Sequence, residues 1–105
     1  MRVMFVSVNQ TYDRAMTMSQ LARCAEKAWA VSLPKARLCS RVVAVKEGRP
    51  LASWELHGAY PTEEMYETTG GARARIGLVL GDPVPLLPEY FDTPPLRHGV
   101  AVLEV

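Results

Sequence analysis

Residues 41–60 read RVVAVKEGRPLASWELHGAY, and the reading of this stretch decides the fold. Val42, Val43, Ala44 and Val45 form an apolar run rich in β-branched residues, Glu47-Gly48-Arg49-Pro50 supplies a reversal, and Leu51 to His57 returns with alternating character. Ala52, Trp54 and Leu56 share one face of the returning strand, while Ser53, Glu55 and His57 share the other. The pattern predicts a β-hairpin with one face on a core and one toward water or a ligand.

Upstream, Val3-Met4-Phe5-Val6-Ser7-Val8 is apolar on both faces and reads as a central strand. Asn9-Gln10-Thr11-Tyr12-Asp13 leaves it as a polar loop, where side-chain amides either recognise a ligand or satisfy local backbone groups. Thr17 and Gln20 fit a capping box. Met18, Leu21, Ala22, Ala25, Ala28 and Trp29 then recur at helical spacing and put one apolar stripe on the sheet, with Pro34 expected to end the helix. Trp29, in that stripe, is either core or a ligand-facing ring.

Downstream, Gly58-Ala59-Tyr60-Pro61 is expected to bend the chain away and Thr62 to cap a short acidic helical turn over 63–68, stopped by Gly70-Gly71. Ala72 to Leu80 reads as a strand with Arg73 and Arg75 on one face and Ala74, Ile76, Leu78 and Leu80 on the other. Two guanidiniums so placed suit phosphates or carboxylates, and equally suit cross-strand pairing with Glu55 and the acids of 63–68. Residues 81–95 carry five prolines beside Leu86, Leu87, Tyr90 and Phe91, which predicts an ordered segment closing one side of the core. Residues 99–105 read as a final strand paired into the sheet.

The chain of 105 residues suits a single domain, 1–105, with 49% apolar and 22% charged residues, an ordinary globular composition. No window reaches the roughly 18 apolar residues of a membrane span, and MRVMFVSVNQ does not read as a signal peptide, so no membrane partner and a cytoplasmic location are expected. Cys24 and Cys39 have no Cys-x-x-Cys spacing and are expected to be reduced, buried thiols. The net charge of +1 hides an asymmetry: Asp13 to Arg49 holds eight bases against three acids, and Pro50 to Val105 holds eight acids against three bases. A basic half gathered on one surface would attract a polyanion; scattered, it is only a solvated surface.

Several active-site types are absent from the sequence: the phosphate-binding Gly-x-x-x-x-Gly-Lys loop, the Gly-x-Ser-x-Gly elbow, and any Cys/His spacing that would close a zinc site. His57 and a cysteine would make a nucleophile and base only if the fold brought them together. No catalytic residue, metal or cofactor is expected, and the protein reads as a non-enzymatic binder. What remains is a set of aromatics (Tyr12, Trp29, Trp54, Tyr60, Tyr66, Tyr90) beside amides and bases (Asn9, Gln10, Arg37, Arg73, Arg75), an inventory compatible with a pocket that stacks an unpaired base and reads its edge.

The order of features resembles a PUA-like domain of the EVE and ASCH type. The likeness rests on the opening strand with its polar exit Val6-Ser7-Val8-Asn9-Gln10, a helix ending in Ala28-Trp29, the basic connection Lys35-Ala36-Arg37 and, best, the hairpin VVAVKEGRPLASWELHGAYP. Arg75-Ile76-Gly77, Gly81-Asp82-Pro83 and the closing strand after Gly99 fit the same layout, while the Gly-x-Lys-x-x-Glu-x-Arg signature of ASCH domains is absent. The resemblance implies an α+β fold: a small curved mixed β-barrel with one main helix and a short helical turn packed outside. It also implies a cleft for RNA or for a modified or flipped base in nucleic acid. Carried over by position, Asn9 and Gln10 are edge readers, Tyr12, Trp29 and Tyr60 are cage walls, and Lys35, Arg37, Arg73 and Arg75 contact the nucleic-acid backbone. Two other functions fit the same residues. One is a small-molecule-binding regulator or resistance protein using the same pocket; the other is a protein-interaction partner docking through the segment from Leu86 to Phe91.

Overall fold

The computed structural model describes residues 1–9, 13–92, 96 and 99–105. Five strands form one mixed sheet: β1 (Arg2–Ser7), β2 (Arg41–Lys46), β3 (Arg49–Thr68), β4 (Gly71–Val84) and β5 (Val100–Glu104), in the order β4-β3-β2-β1-β5. β1 and β2 run parallel, joined by a crossover that carries α1 (Met18–Glu26) and α2 (Leu33–Arg37); every other neighbour is antiparallel. The fold is therefore α+β. No helix of the described residues is long and apolar enough to cross a membrane.

The sequence predicts β1 to be buried on both faces, and it is, because two different layers cover the sheet. On one side Met4, Val6, Val42, Ala44, Ala52 and Trp54 pack with Leu21 and Ala25 of α1 and Ala36 of α2. On the other side Val3, Phe5, Val43 and Val45 pack against Tyr90, with Leu86, Leu87 and Leu96 around them. Tyr90 belongs to a 3₁₀ turn, Pro88–Asp92, and its ring meets Phe5 edge-on at 5.7 Å. The proline-rich segment is thus the expected cover; Pro94, Pro95, Arg97 and His98 lie outside the described residues. Ser53 is fully buried beneath that cover, its hydroxyl donating to the carbonyl of Val84 at 2.8 Å and to that of Pro85 at 3.3 Å.

Three expectations about local structure are corrected. First, the main helix stops at Glu26 and does not reach Pro34. The Thr17 and Gln20 capping box opens it as read, but Pro34 sits in the first turn of a second helix capped by Ser32. A first-turn N–H has no helical partner, so proline costs nothing there. Trp29 consequently lies between the helices, and its backbone makes two hydrogen bonds with Ile76 of β4.

Second, residues 63–68 form no acidic helical turn. β3 runs on through them, with Met65, Tyr66, Glu67 and Thr68 opposite Ala74, Arg73, Ala72 and Gly71. Six residues are too few for a self-sustaining helix, whereas the hairpin ladder satisfies their backbone groups directly. Gly71 at φ 110° takes the left-handed geometry of the reversal. Third, Gly58 to Pro61 does not turn the chain away but bulges; the β3–β4 register shifts at Trp54/Leu56, Leu56/Gly58 and Pro61/Met65. Bulges bend a strand and raise its twist. The central reversal is a two-residue turn, Glu47 at φ 51° and Gly48 at φ 79°, the geometry favoured for hairpins.

The sheet is not closed into a barrel, since β4 and β5 are its two edges. It is nonetheless strongly curled: Tyr66 of β3 and Val100–Val102 of β5 line one cavity although two strands separate theirs in the sheet order. Burial of a two-layer centre sets the expected ranking of variants. Phe5→Ala, which empties the space against Tyr90, is expected to cost about 3–5 kcal/mol. Ser53→Ala, which removes a hydroxyl from two carbonyls, is expected to cost about 1 kcal/mol. Urea unfolding followed by tryptophan fluorescence checks the order.

Candidate functional site

Beyond the last bulge, β3 and β4 form a two-stranded arm whose residues sort by face. Cross-strand partners share a face, so Tyr66 and Arg73 lie on one side and the pairs Met65–Ala74 and Glu67–Ala72 on the other. Arg75 joins the first side: its guanidinium stands 5.8 Å from the centre of the Tyr66 ring and donates to the carbonyl of Ala28 at 3.4 Å. No carboxylate of the described residues lies within ion-pair distance of Arg73 or Arg75; the pairs are Glu104 with the Met1 ammonium and Arg2, and Glu55 with His57. Of the two uses read for these arginines, pairing with Glu55 or with the acids of 63–68 is thus not made.

Tyr66 looks into a cavity of about 300 Å³ lined by Ala30, Val31, Ser32, Lys35, Val100, Ala101 and Val102. A second hollow of about 440 Å³ continues along β5 past Arg2, Leu103 and Glu104 and shares Lys35 and Val102 with the first. Together they make a groove that follows the open β5 edge, with the Tyr66 ring, and Arg75 over it, at one end and Lys35, Arg2 and Glu104 along it. Such a lining offers a stacking surface and a cationic track.

A comparison with protein-family models, curated proteins and solved structures returned no match to this chain.

The residues singled out in the sequence are dispersed around this groove. Lys35 lines it, and Arg73 and Arg75 share the face of Tyr66 at its end. Arg37 leaves α2 on the other side and lines a separate cavity. Asn9 holds the β2–β3 turn: its Oδ1 accepts from the Glu47 N–H at 2.7 Å, and its carbonyl accepts from Lys46 Nζ at 2.7 Å. Gln10 and Tyr12 lie outside the described residues. Trp29 is partly buried against the core, and its indole N–H donates to the Ala25 carbonyl at 2.9 Å. Tyr60 lies across Gly77, where an added Cβ would come 2.4 Å from the ring. The Trp29 backbone bonds β4 at Ile76, while the Tyr60 ring covers the neighbouring Gly77 from β3. Tyr66 stands in the sequence's inventory of stacking rings but is not one of the expected cage walls, and Arg2 is not among the expected contacts. Reading 63–68 as strand would have found Tyr66, because alternation then sets it on the face of Arg73.

The Arg37 cavity, about 370 Å³, also contains Cys39 and His57, so the fold does bring a thiol and an imidazole to one hollow. Their chemistry is otherwise engaged. Cys39 is buried, its thiol donating to the Lys35 carbonyl at 3.6 Å, and burial pushes the thiol up, partly offset by the nearby charges of Arg2 and Lys35. His57 is 3.0 Å from a Glu55 carboxylate oxygen and its ring packs on the backbone of Gly81. Among the described residues no three His, Cys, Asp or Glu side chains form a metal-holding group. Because the thiolate is the reactive form, a raised thiol reacts only as pH climbs past the usual thiol range. Native Cys39 is therefore expected to resist iodoacetamide at neutral pH and to label on denaturation, as peptide mass spectrometry would show.

Proposed function

We propose that this protein is a non-enzymatic nucleic-acid-binding module that holds a single strand, or a base flipped from a duplex, in the groove along β5. The observation that carries the reading is Tyr66 stacked by Arg75 at the end of a groove lined by Lys35. A ring face accepts any base, and cations along the groove neutralise successive phosphates. In this reading the roles first given to Trp29 and Tyr60 pass to Tyr66, and Lys35, Arg73 and Arg75 keep theirs as backbone contacts. The PUA-like resemblance supports it at the level of layout: a curled sheet with helices outside and a ligand beside the curl. Thiols at Cys24 and Cys39 suit a reducing compartment such as the cytoplasm.

Fluorescence anisotropy with short labelled single-stranded RNA and DNA tests this. Saturable binding is expected at low salt, weakening as salt rises. Tyr66→Ala is expected to weaken it by about 1–3 kcal/mol, roughly ten- to hundredfold. Lys35→Glu should weaken it and flatten the salt dependence, while Arg49→Glu, on the distant hollow beside Asp13 and Glu47, should change little. Absence of saturable binding to both nucleic acids at low salt would sink the proposal. A salt-insensitive thermal shift with a neutral metabolite would favour the small-molecule alternative.

A further inference from the structure

The groove has one wall made of main chain. In the antiparallel β1–β5 ladder, residues alternate between pairs that exchange hydrogen bonds and pairs that do not. Ser7 donates to the Gly99 carbonyl at 2.7 Å and Val105 to the Met1 carbonyl at 2.8 Å, so the bonded pairs are those of Gly99, Ala101, Leu103 and Val105. Val100 and Val102, opposite Val6 and Met4, therefore turn their N–H and C=O groups away from β1. No strand of the described residues pairs with that side of β5. Both valines line the cavity that contains Tyr66 and Lys35, and their side chains pack toward the helices.

Resting on the groove reading above, we infer that the outward peptide groups of Val100 and Val102 are the base-reading element, and that the ligand is an unpaired nucleobase presenting its Watson–Crick edge to them. Each residue of a strand edge offers one donor and one acceptor side by side. A base edge offers the complementary arrangement, and single-stranded recognition uses that edge once stacking has splayed the base out. Tyr66 supplies the stacking face and Lys35 stands where the attached phosphate would lie. A volume of about 300 Å³ is at the small end of ligand pockets and holds one planar ring system, not a duplex.

The test compares uridine oligomers carrying no methyl group, a methyl at N3, or a methyl at C5, by fluorescence anisotropy with parent protein and Tyr66→Ala. N3 lies on the Watson–Crick edge and C5 does not. Methylation at N3 is expected to weaken binding about tenfold by leaving a peptide group unpaired, and methylation at C5 to leave it unchanged. In ¹⁵N-resolved NMR the amide of Val100 or Val102 is expected to shift with the unmethylated oligomer and not with the N3-methyl form. If all three oligomers bind alike while Tyr66→Ala still weakens them, the edge is not read; this inference falls and the binding groove stands. If no uridine oligomer binds, the inference falls outright. An extended peptide that displaces the oligomer and moves the same amides would assign the edge to strand addition and overturn it.

Discussion

Parallel pairing of β1 with β2 is the constraint from which the other elements follow. Two parallel neighbours cannot be joined by a tight turn, so the chain must leave the sheet, cross one face and return. α1, the Trp29 segment and α2 occupy that crossover and supply one apolar layer. Because Val3, Phe5, Val43 and Val45 face the other way, the second face needs its own cover. The segment with Leu86, Leu87 and Tyr90 provides it, and its prolines restrict the unfolded chain without requiring a strand or a long helix. An apolar run on both faces of β1 thus accounts for one helical layer and one irregular layer.

Much of this architecture was legible in residues 1–60. The run from Val3 to Val8, the capping box of Thr17 and Gln20, and the alternation from Leu51 to His57 each carry a short-range signal whose period matches the element formed. The failures share a cause as well. Pro34 and the acids of 63–68 were read by local preference alone, and local preference is weak over five or six residues. The outcome there was set by partners distant in sequence: Ser32 and the sheet for Pro34, the facing strand from Gly71 to Ala74 for 63–68.

The site was less legible than the fold for the same reason. Lys35, Arg73 and Arg75 could be picked out as bases in structured segments, but the approach of Tyr66 to Lys35 and the β5 edge goes with a curl that three register shifts in β3 and β4 accompany. No single-residue pattern announces a bulge of that kind. Asn9 illustrates the opposite case. A polar residue at the exit of a buried strand was a fair candidate for recognition, yet both its backbone and its side chain are committed to the β2–β3 turn, where Glu47 and Gly48 need left-handed backbone. The recognition surface proposed above lies instead where the ladder ends.

The paired main-chain bonds between Trp29 and Ile76 fix the root of the β3–β4 arm to the helical layer, and the Arg75 contact with Ala28 adds a second tether one residue away. An arm so moored cannot swing away as a whole without breaking these two backbone bonds. The mooring limits how far the arm can draw Tyr66 from the β5 residues with which it lines one cavity. On the reading proposed above, a ring and a strand edge held in place before the ligand arrives leave little ordering to be done on binding, and preorganisation of that kind strengthens association without adding a contact.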